Sequence, residues 1–397
     1  MATYSYADAR QLVVDTVLAA RRAPTIETVP LHEAAGRVLA EPALADRDYP
    51  PVARSLRDGF AVRTADLPGS LARIGDARAG TAFNGAVGAG QCVEIMTGAP
   101  VPAGADAVVM VEQARREGET IHFTQRPAAG EFVNPAGAEA SRGVAVIEPG
   151  VRLGFAQIAL LATFGYAQVK VYRAPRVAIL ATGDEVVPIE STPGDAEVRN
   201  SNSYALAAQV RRAGGVPEIL PVAPDELDAT RTLIAQGLEH DLLLLSGGVS
   251  AGKYDYVEPV LAGFGAEFYF DRVLMQPGQP AVFGRARDRF FFGLPGNPGS
   301  TMVTFEVFGR AALQLLEGET RADLLLPRLR LTADFKHKPG MTRFLPARVN
   351  ADATEVTPVK WQGSSDVPSM ARANAFMVCE AAVESWKAGD QIGVLLQ

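Results

Sequence analysis

The residues best suited to chemistry gather between Asp241 and Asp255, D-L-L-L-L-S-G-G-V-S-A-G-K-Y-D. Leu242 to Leu245 form a short apolar run closed by a glycine-rich turn, the pattern of a strand buried on both faces of a parallel sheet. Ligands bind outside the carboxyl ends of such strands. Gly247, Gly248 and Gly252 let a backbone approach a ligand and turn N–H groups toward an anion. Lys253 adds a positive charge and Asp255 a carboxylate, with Ser246 and Ser250 between them. Both signs in one loop suit a metal-bridged phosphate or oxyanion; a plain strand-to-helix turn is the competing reading.

Three other predicted strand ends belong beside it. One is Thr182-Gly183-Asp184-Glu185, one leads to Pro224-Asp225, and one runs through Leu294-Pro295-Gly296-Asn297-Pro298. In a parallel sheet these tips share an edge, which gathers Asp184, Glu185, Asp225 and Asp255 beside glycine-rich turns. Several carboxylates around an anion pocket call for a hard cation, and Mg²⁺ is held by one or two carboxylates plus substrate phosphates. Singly, Asp225 and Asp255 could each cap a helix instead. The Pro295–Pro298 turn opens a helix whose first N–H groups would face an anion. Ser246 and Ser250 have no evident base and no G-x-S-x-G elbow. The P-loop and the dinucleotide G-x-G-x-x-G are also missing.

The elements that must position these residues divide the 397-residue chain into several domains. Residues 1–45 and 146–175 are expected to form a helical linker domain. It comprises a helix over 5–22 capped by Ser5, a second over 31–39, and helical spacing over 151–172. Residues 46–145 alternate short β runs with Gly/Pro turns and read as an inserted β-domain. Within it, Asp58 and Thr97 lie in polar turns. Residues 176–320 alternate strands and helices, a doubly wound α/β domain. Residues 321–397 return to β structure. The fold class is α/β plus all-β, multidomain.

Net charge is −7, which speaks against a large nucleic-acid surface. Cys92 and Cys379 have no metal-ligand spacing and fit a reducing compartment. No signal pattern or membrane-length apolar run is present, so a cytoplasmic protein without membrane contact is expected.

The motifs in order resemble the bacterial molybdenum insertases, the MoeA family, related to the E domain of gephyrin. The resemblance rests on S-L-R-D-G-F-A (55–61), M-T-G-A-P-V-P (96–102), T-G-D-E (182–185), S-N-S (201–203), S-G-G-V-S (246–250), Q-P-G-Q-P (276–280), G-L-P-G-N-P (293–298) and Q-G-S-S (362–365). It implies a molybdopterin-binding α/β domain, a homodimer whose second subunit contributes to the cleft, and molybdopterin molybdenumtransferase activity. Adenylyl-molybdopterin and molybdate would yield molybdenum cofactor and AMP with Mg²⁺. Transient contact with the molybdopterin adenylyltransferase would supply the substrate. By the same resemblance Asp58, Asp184, Glu185, Asp225 and Asp255 are catalytic, and Glu185, Asp225 and Asp255 hold the metal. Thr97 and Ser364 join Thr182, the 246–253 loop and the 295–298 turn in binding substrate. Where many members carry basic residues, this chain has Gln276, Gln279 and Pro346; Arg57, Lys253 and Arg272 are candidates to restore the charge. Adenylyl transfer to molybdopterin, using the α/β domain alone, and a non-catalytic molybdopterin-binding scaffold are the alternative functions.

Overall fold

The computed structural model describes residues 3–248 and 256–397. Its centre is a six-stranded sheet of β1 (Arg176–Ala181), β2 (Val216–Ile219), β3 (Leu242–Ser246), β4 (Glu267–Phe270), β5 (Val282–Ala286) and β6 (Arg289–Leu294). The order is β2-β1-β3-β6-β5-β4. The first four run parallel, while β5 and β4 are antiparallel to their neighbours. Side chains alternate across the sheet with period two. Val177, Ile179, Leu242, Leu244, Phe290 and Phe292 enter one core, and Ala178, Leu180, Leu243, Leu245 and Phe291 the other. Apolar residues at successive positions are thus explained by burial on both faces.

Helices cover both faces, as the doubly wound reading requires. The second core is closed by α4 (Leu227–Gly237) and α5 (Val257–Gly263). The first is closed by α3 (Ser201–Arg212) and by a long helix with three parts. These are α6 (Pro298–Thr304), a π-helical turn at Phe305–Gly309, and α7 (Arg310–Glu317). The N-terminal helix α1 (Tyr6–Ala20) joins them, burying Ala9, Val13 and Val17 in this core. Ser5 caps it, its Oγ accepting from the Asp8 N–H at 3.1 Å. Beyond its end, the Arg21 guanidinium donates to the carbonyls of Leu315 and Glu319, serving the last turn of α7.

Several expectations need correction. Residues 31–39 form one 3-10 turn, Leu31–Glu33, rather than a helix. Gly36 takes φ +80°, and Val38 and Leu39 bridge to Arg152 and Val171. Of 151–172 only Phe155–Thr163 is helical (α2). Gln168–Tyr172 alternates polar and apolar residues and pairs antiparallel with Ile26–Pro30. Not every strand of 176–320 stays in the α/β sheet: β4 ends at Phe270, and Val273–Gln276 joins the C-terminal sheet between Tyr4–Ser5 and Thr342–Val349. In that sheet Thr342–Val349 pairs with both Glu355–Pro358 and Ala375–Cys379, closing a ring of five strands. The 362–370 stretch is a loop followed by a helix, α8 (Val367–Arg372).

The inserted β segment forms a separate six-stranded sheet from Gly59–Val62 to Thr120–Phe123. A charged clasp ties the chain after this insert to the end of α7. Arg152 donates through Nη2 to Glu317 and Glu319, both at 2.5 Å, and through Nη1 to the Gly36 carbonyl. Glu317 is fully buried, and burial pushes its carboxyl up while Arg152 pulls it down. Arg152→Ala would strand that charge, and breaking a buried pair costs about 3–5 kcal/mol. The loss should grow with pH, as ionised Glu317 is left without its partner. It should fade as pH falls through the folded value, which burial holds above the ordinary carboxylate range, because the stranded carboxyl is then neutral. Urea titrations of both proteins at several pH values check this.

Candidate active site

The parallel register sets the tips of β1, β3 and β6 level. The Thr182 N–H donates to the Ser246 carbonyl at 3.1 Å, and the Gly247 N–H to the Leu294 carbonyl at 3.1 Å. The Gly183 N–H reaches the Ala223 carbonyl, drawing in the chain after β2. Above these tips lies a cleft of about 710 Å³. Thr182, Glu185, Ser246, Gly247, Gly248 and the Pro295–Pro298 turn all line it. Gly248 has φ +63°, and a Cβ there would stand 2.6 Å from Thr182 Oγ1, so glycine keeps this wall open. The C-terminal module closes one side with Ser365 and Val367. Ser364 is anchored there, its carbonyl accepting from the Gly299 N–H at 2.7 Å.

Those hydrogen bonds correct part of the anion-site expectation. The N–H groups of Gly247 and Gly299 are already engaged and do not face the cleft as free donors. Ser250, Gly252, Lys253 and Asp255 lie outside the described residues.

Asp225 does not cap a helix. α4 begins at Leu227, and its cap position, Glu226, makes no side-chain capping bond. The Asp225 N–H instead donates to Asp184 Oδ1 at 3.0 Å. The Asp225 carboxyl is held above its usual range by lost hydration first, then by the negative charges of Asp184 and Glu185. Crowded carboxylates of this kind favour a cation. Among the described residues, no three His, Cys, Asp or Glu are grouped closely enough to hold a metal by themselves. Of the three crowded carboxylates, Glu185 lines the cleft, while Asp184 and Asp225 are not among its lining residues.

Asp58 and Thr97 form a second centre on the inserted β-domain, and neither lines the cleft of this chain. Thr97 donates to Asp58 Oδ1 from its backbone N–H at 2.6 Å and from Oγ1 at 2.9 Å. The backbone bond, then the hydroxyl, hold the carboxyl below its usual range. Arg57 leans over the Phe132 ring at 5.9 Å, while Arg272 and Gln276 are exposed. Cys92 and Cys379 are buried, their thiols pushed up to about 11 and about 12 by desolvation. They are packing residues.

Sequence reasoning missed three lining features. Asn202 belongs to the S-N-S stretch, whose position at the start of α3 could have signalled it. Val186–Val187 and Val198–Arg199 form a two-stranded ribbon that walls the cleft, with no periodicity to announce it.

Three family models match in order along the chain. They are the MoeA N-terminal region (domain I and II) over residues 4–165, the probable molybdopterin binding domain over 178–315, and the MoeA C-terminal region (domain IV) over 328–396. A protein of Bacillus subtilis (strain 168) named molybdopterin molybdenumtransferase is 36% identical over 93% of this chain and 89% of its own length. The chain belongs to the MoeA family. A second MoeA relative of the same name, from Staphylococcus aureus (strain MRSA252), is 33% identical over 93% of this chain and 90% of its own. The crystal structure of a molybdopterin biosynthesis MoeA protein from Pyrococcus horikoshii OT3 superposes with a TM-score of 0.82 at 26% identity, covering all of both chains. The multidomain MoeA architecture is thus present from end to end, and no helix among the described residues is long and apolar enough to cross a membrane.

Replacing Asp184 with Asn removes one of the two charges acting on Asp225 while keeping an acceptor for its N–H. The Asp225 carboxyl should then titrate lower, though still above its usual range because lost hydration is the larger cause. Carboxyl NMR titration of both proteins measures the shift.

Proposed function

We propose that this chain is a molybdopterin molybdenumtransferase, taking adenylyl-molybdopterin and molybdate to molybdenum cofactor and AMP. The observation that carries the reading is the convergence of Thr182–Glu185, Ser246–Gly248 and Pro295–Pro298 on one cleft in a chain matching the MoeA modules throughout. Adenylyl transfer would need only the α/β module.

In this reading the cleft binds the nucleotide-linked pterin. The Thr182 hydroxyl and the open wall at Gly248 admit its backbone closely. Glu185 and Asp225, with Asp255, would hold Mg²⁺. Such an ion would supply Lewis-acid polarisation of a phosphoanhydride. Glu185 and Asp225 orient the phosphates through that shared site, and the crowding that raises Asp225 is relieved when positive charge arrives. Ser364 and its neighbours screen the far side of the cleft from water. The dithiolene of the substrate receives the molybdenum, so neither buried cysteine takes part.

Asp58 has a different task. A carboxyl held low by two Thr97 hydrogen bonds is ionised at neutral pH and is a weak base, suited to orienting a hydroxyl or water rather than removing its proton. Around it Val52, Leu56, Met96 and Val111 are exposed. Such an apolar rim supports a homodimer in which Asp58 of one protomer serves the cleft of its partner.

The test is AMP release from purified adenylyl-molybdopterin with and without molybdate and Mg²⁺. The wild type should release AMP only when molybdate is present. Asp225→Asn should lower that rate by about ten- to a hundredfold and raise the Mg²⁺ concentration needed for half-maximal rate. Release independent of molybdate, or an unaffected variant, would remove the reading.

A further inference from the structure

The amino ends of the parallel strands carry a second pocket, of about 190 Å³, on the sheet edge opposite the cleft. Asp241 precedes β3, Arg289 opens β6 and Pro175 precedes β1, so the length of a five-residue strand, about 16 Å, lies between the two. The charged groups on its wall are four guanidinium groups, Arg21, Arg22, Arg173 and Arg289, and two carboxylates, Asp241 and Asp288. Both carboxylates are shared. Asp241 accepts from Arg173 Nη2 at 2.8 Å, from Arg289 Nη1 at 3.3 Å and from the Arg176 N–H at 2.8 Å. Asp288 accepts from Arg22 Nη2 at 3.3 Å and from Arg285 Nη2 at 2.8 Å. Arg21 is half-buried, and among the described residues it donates only to the carbonyls of Leu315 and Glu319.

Four positive charges thus face two negative ones, and neither carboxylate is free to turn toward a guest. Each guanidinium has five N–H donors, and among the described residues the protein uses at most two on any of the four. Surplus charge and spare donors around a hollow suit an anion with several oxygens, which planar guanidinium groups grip in pairs of bonds. Size narrows the class. Sites for whole small molecules begin near about 300 Å³, and this pocket is smaller, with room for about six waters. We propose that the pocket is an oxyanion site for a phosphate group, free or carried at the end of a larger molecule that stays outside. Its walls include 21–25 and 173–175, the two passages of the chain between the linker domain and the α/β domain. The Arg173 N–H donates to the Thr25 carbonyl at 2.7 Å, so the two passages already touch. A phosphate held there ties both to the turn between β5 and β6, on the far side of the sheet from the cleft. The inference does not depend on the reaction assigned to the cleft.

Calorimetric titration of the full-length protein with inorganic phosphate and with AMP, at fixed ionic strength, tests this. The wild type should bind phosphate saturably. Arg173→Gln removes one guanidinium and leaves Asp241 paired with Arg289; it should weaken that binding by about tenfold or more. Asp288→Asn works in the other direction. It deletes a negative charge from the wall, and Asn tolerates the φ of +63° that Asp288 adopts. Phosphate should then bind more tightly, by about two- to fivefold for a pair this exposed. A gain in affinity cannot come from damage to the fold, so this variant stands even if Arg173→Gln folds poorly. AMP identifies the source of the phosphate. If its affinity follows phosphate in both variants, the site takes the end of a larger molecule; if only phosphate responds, it takes the free ion. Wild-type protein that binds no phosphate saturably overturns the inference. So does saturable binding that Asp288→Asn fails to tighten, because the phosphate is then held elsewhere, as in the cleft.

Discussion

The structure depends on the alignment of three parallel strands at their carboxyl ends. Two backbone hydrogen bonds, Thr182 N–H to Ser246 O and Gly247 N–H to Leu294 O, hold β1, β3 and β6 at one level. A slip of one residue would turn every side chain to the opposite face. Leucines and phenylalanines on both sides of these strands make such a slip costly, because each face has its own closed core. The cleft is therefore set at the end of a sheet buried on both faces, and the loops beyond the tips start from aligned strand ends.

Around that edge the electrostatics are divided. Asp184, Glu185 and Asp225 are crowded, and the last is pushed toward its neutral form by lost hydration and like charge. Asp58 is pushed the other way by two donated hydrogen bonds from Thr97. Carboxyl groups in one chain are thus set for different work by their surroundings. A cluster short of positive charge suits a cation and phosphate oxygens; an isolated, ionised acceptor suits orientation of a small polar group.

The modules are joined by polar contacts as well as by chain. Arg152 binds two glutamates at the end of α7, and Arg21 satisfies carbonyls of the same helix end. The Gly299 N–H meets the Ser364 carbonyl, bringing the C-terminal module to the rim of the cleft. Val273–Gln276 leaves the α/β region to become a strand of the C-terminal sheet. Such junctions hold lining residues from distant parts of the sequence, 181 to 367, around one volume.

By itself the sequence determined the central strands of the α/β region, β1, β3 and β6, and where they end. Runs such as Leu242–Leu245 leave no choice of period, and glycine or proline turns mark their tips. It also carried the family, through motifs whose order spans the chain. Local pattern misled where pairing partners were distant. Leu31–Leu39 and Gln168–Tyr172 look helical only until the bridges to Arg152 and Val171 and to Ile26–Pro30 are known. The tertiary structure alone decided that the N–H groups of Gly247 and Gly299 are spent within the protein. It also decided that Asp225 answers to Asp184 and not to a helix end, and that the Asn202 amide ties Ser246 to Gly296. Each of these depends on which atoms from remote segments meet, and a hydrogen bond between remote segments leaves no mark in the spacing of either one.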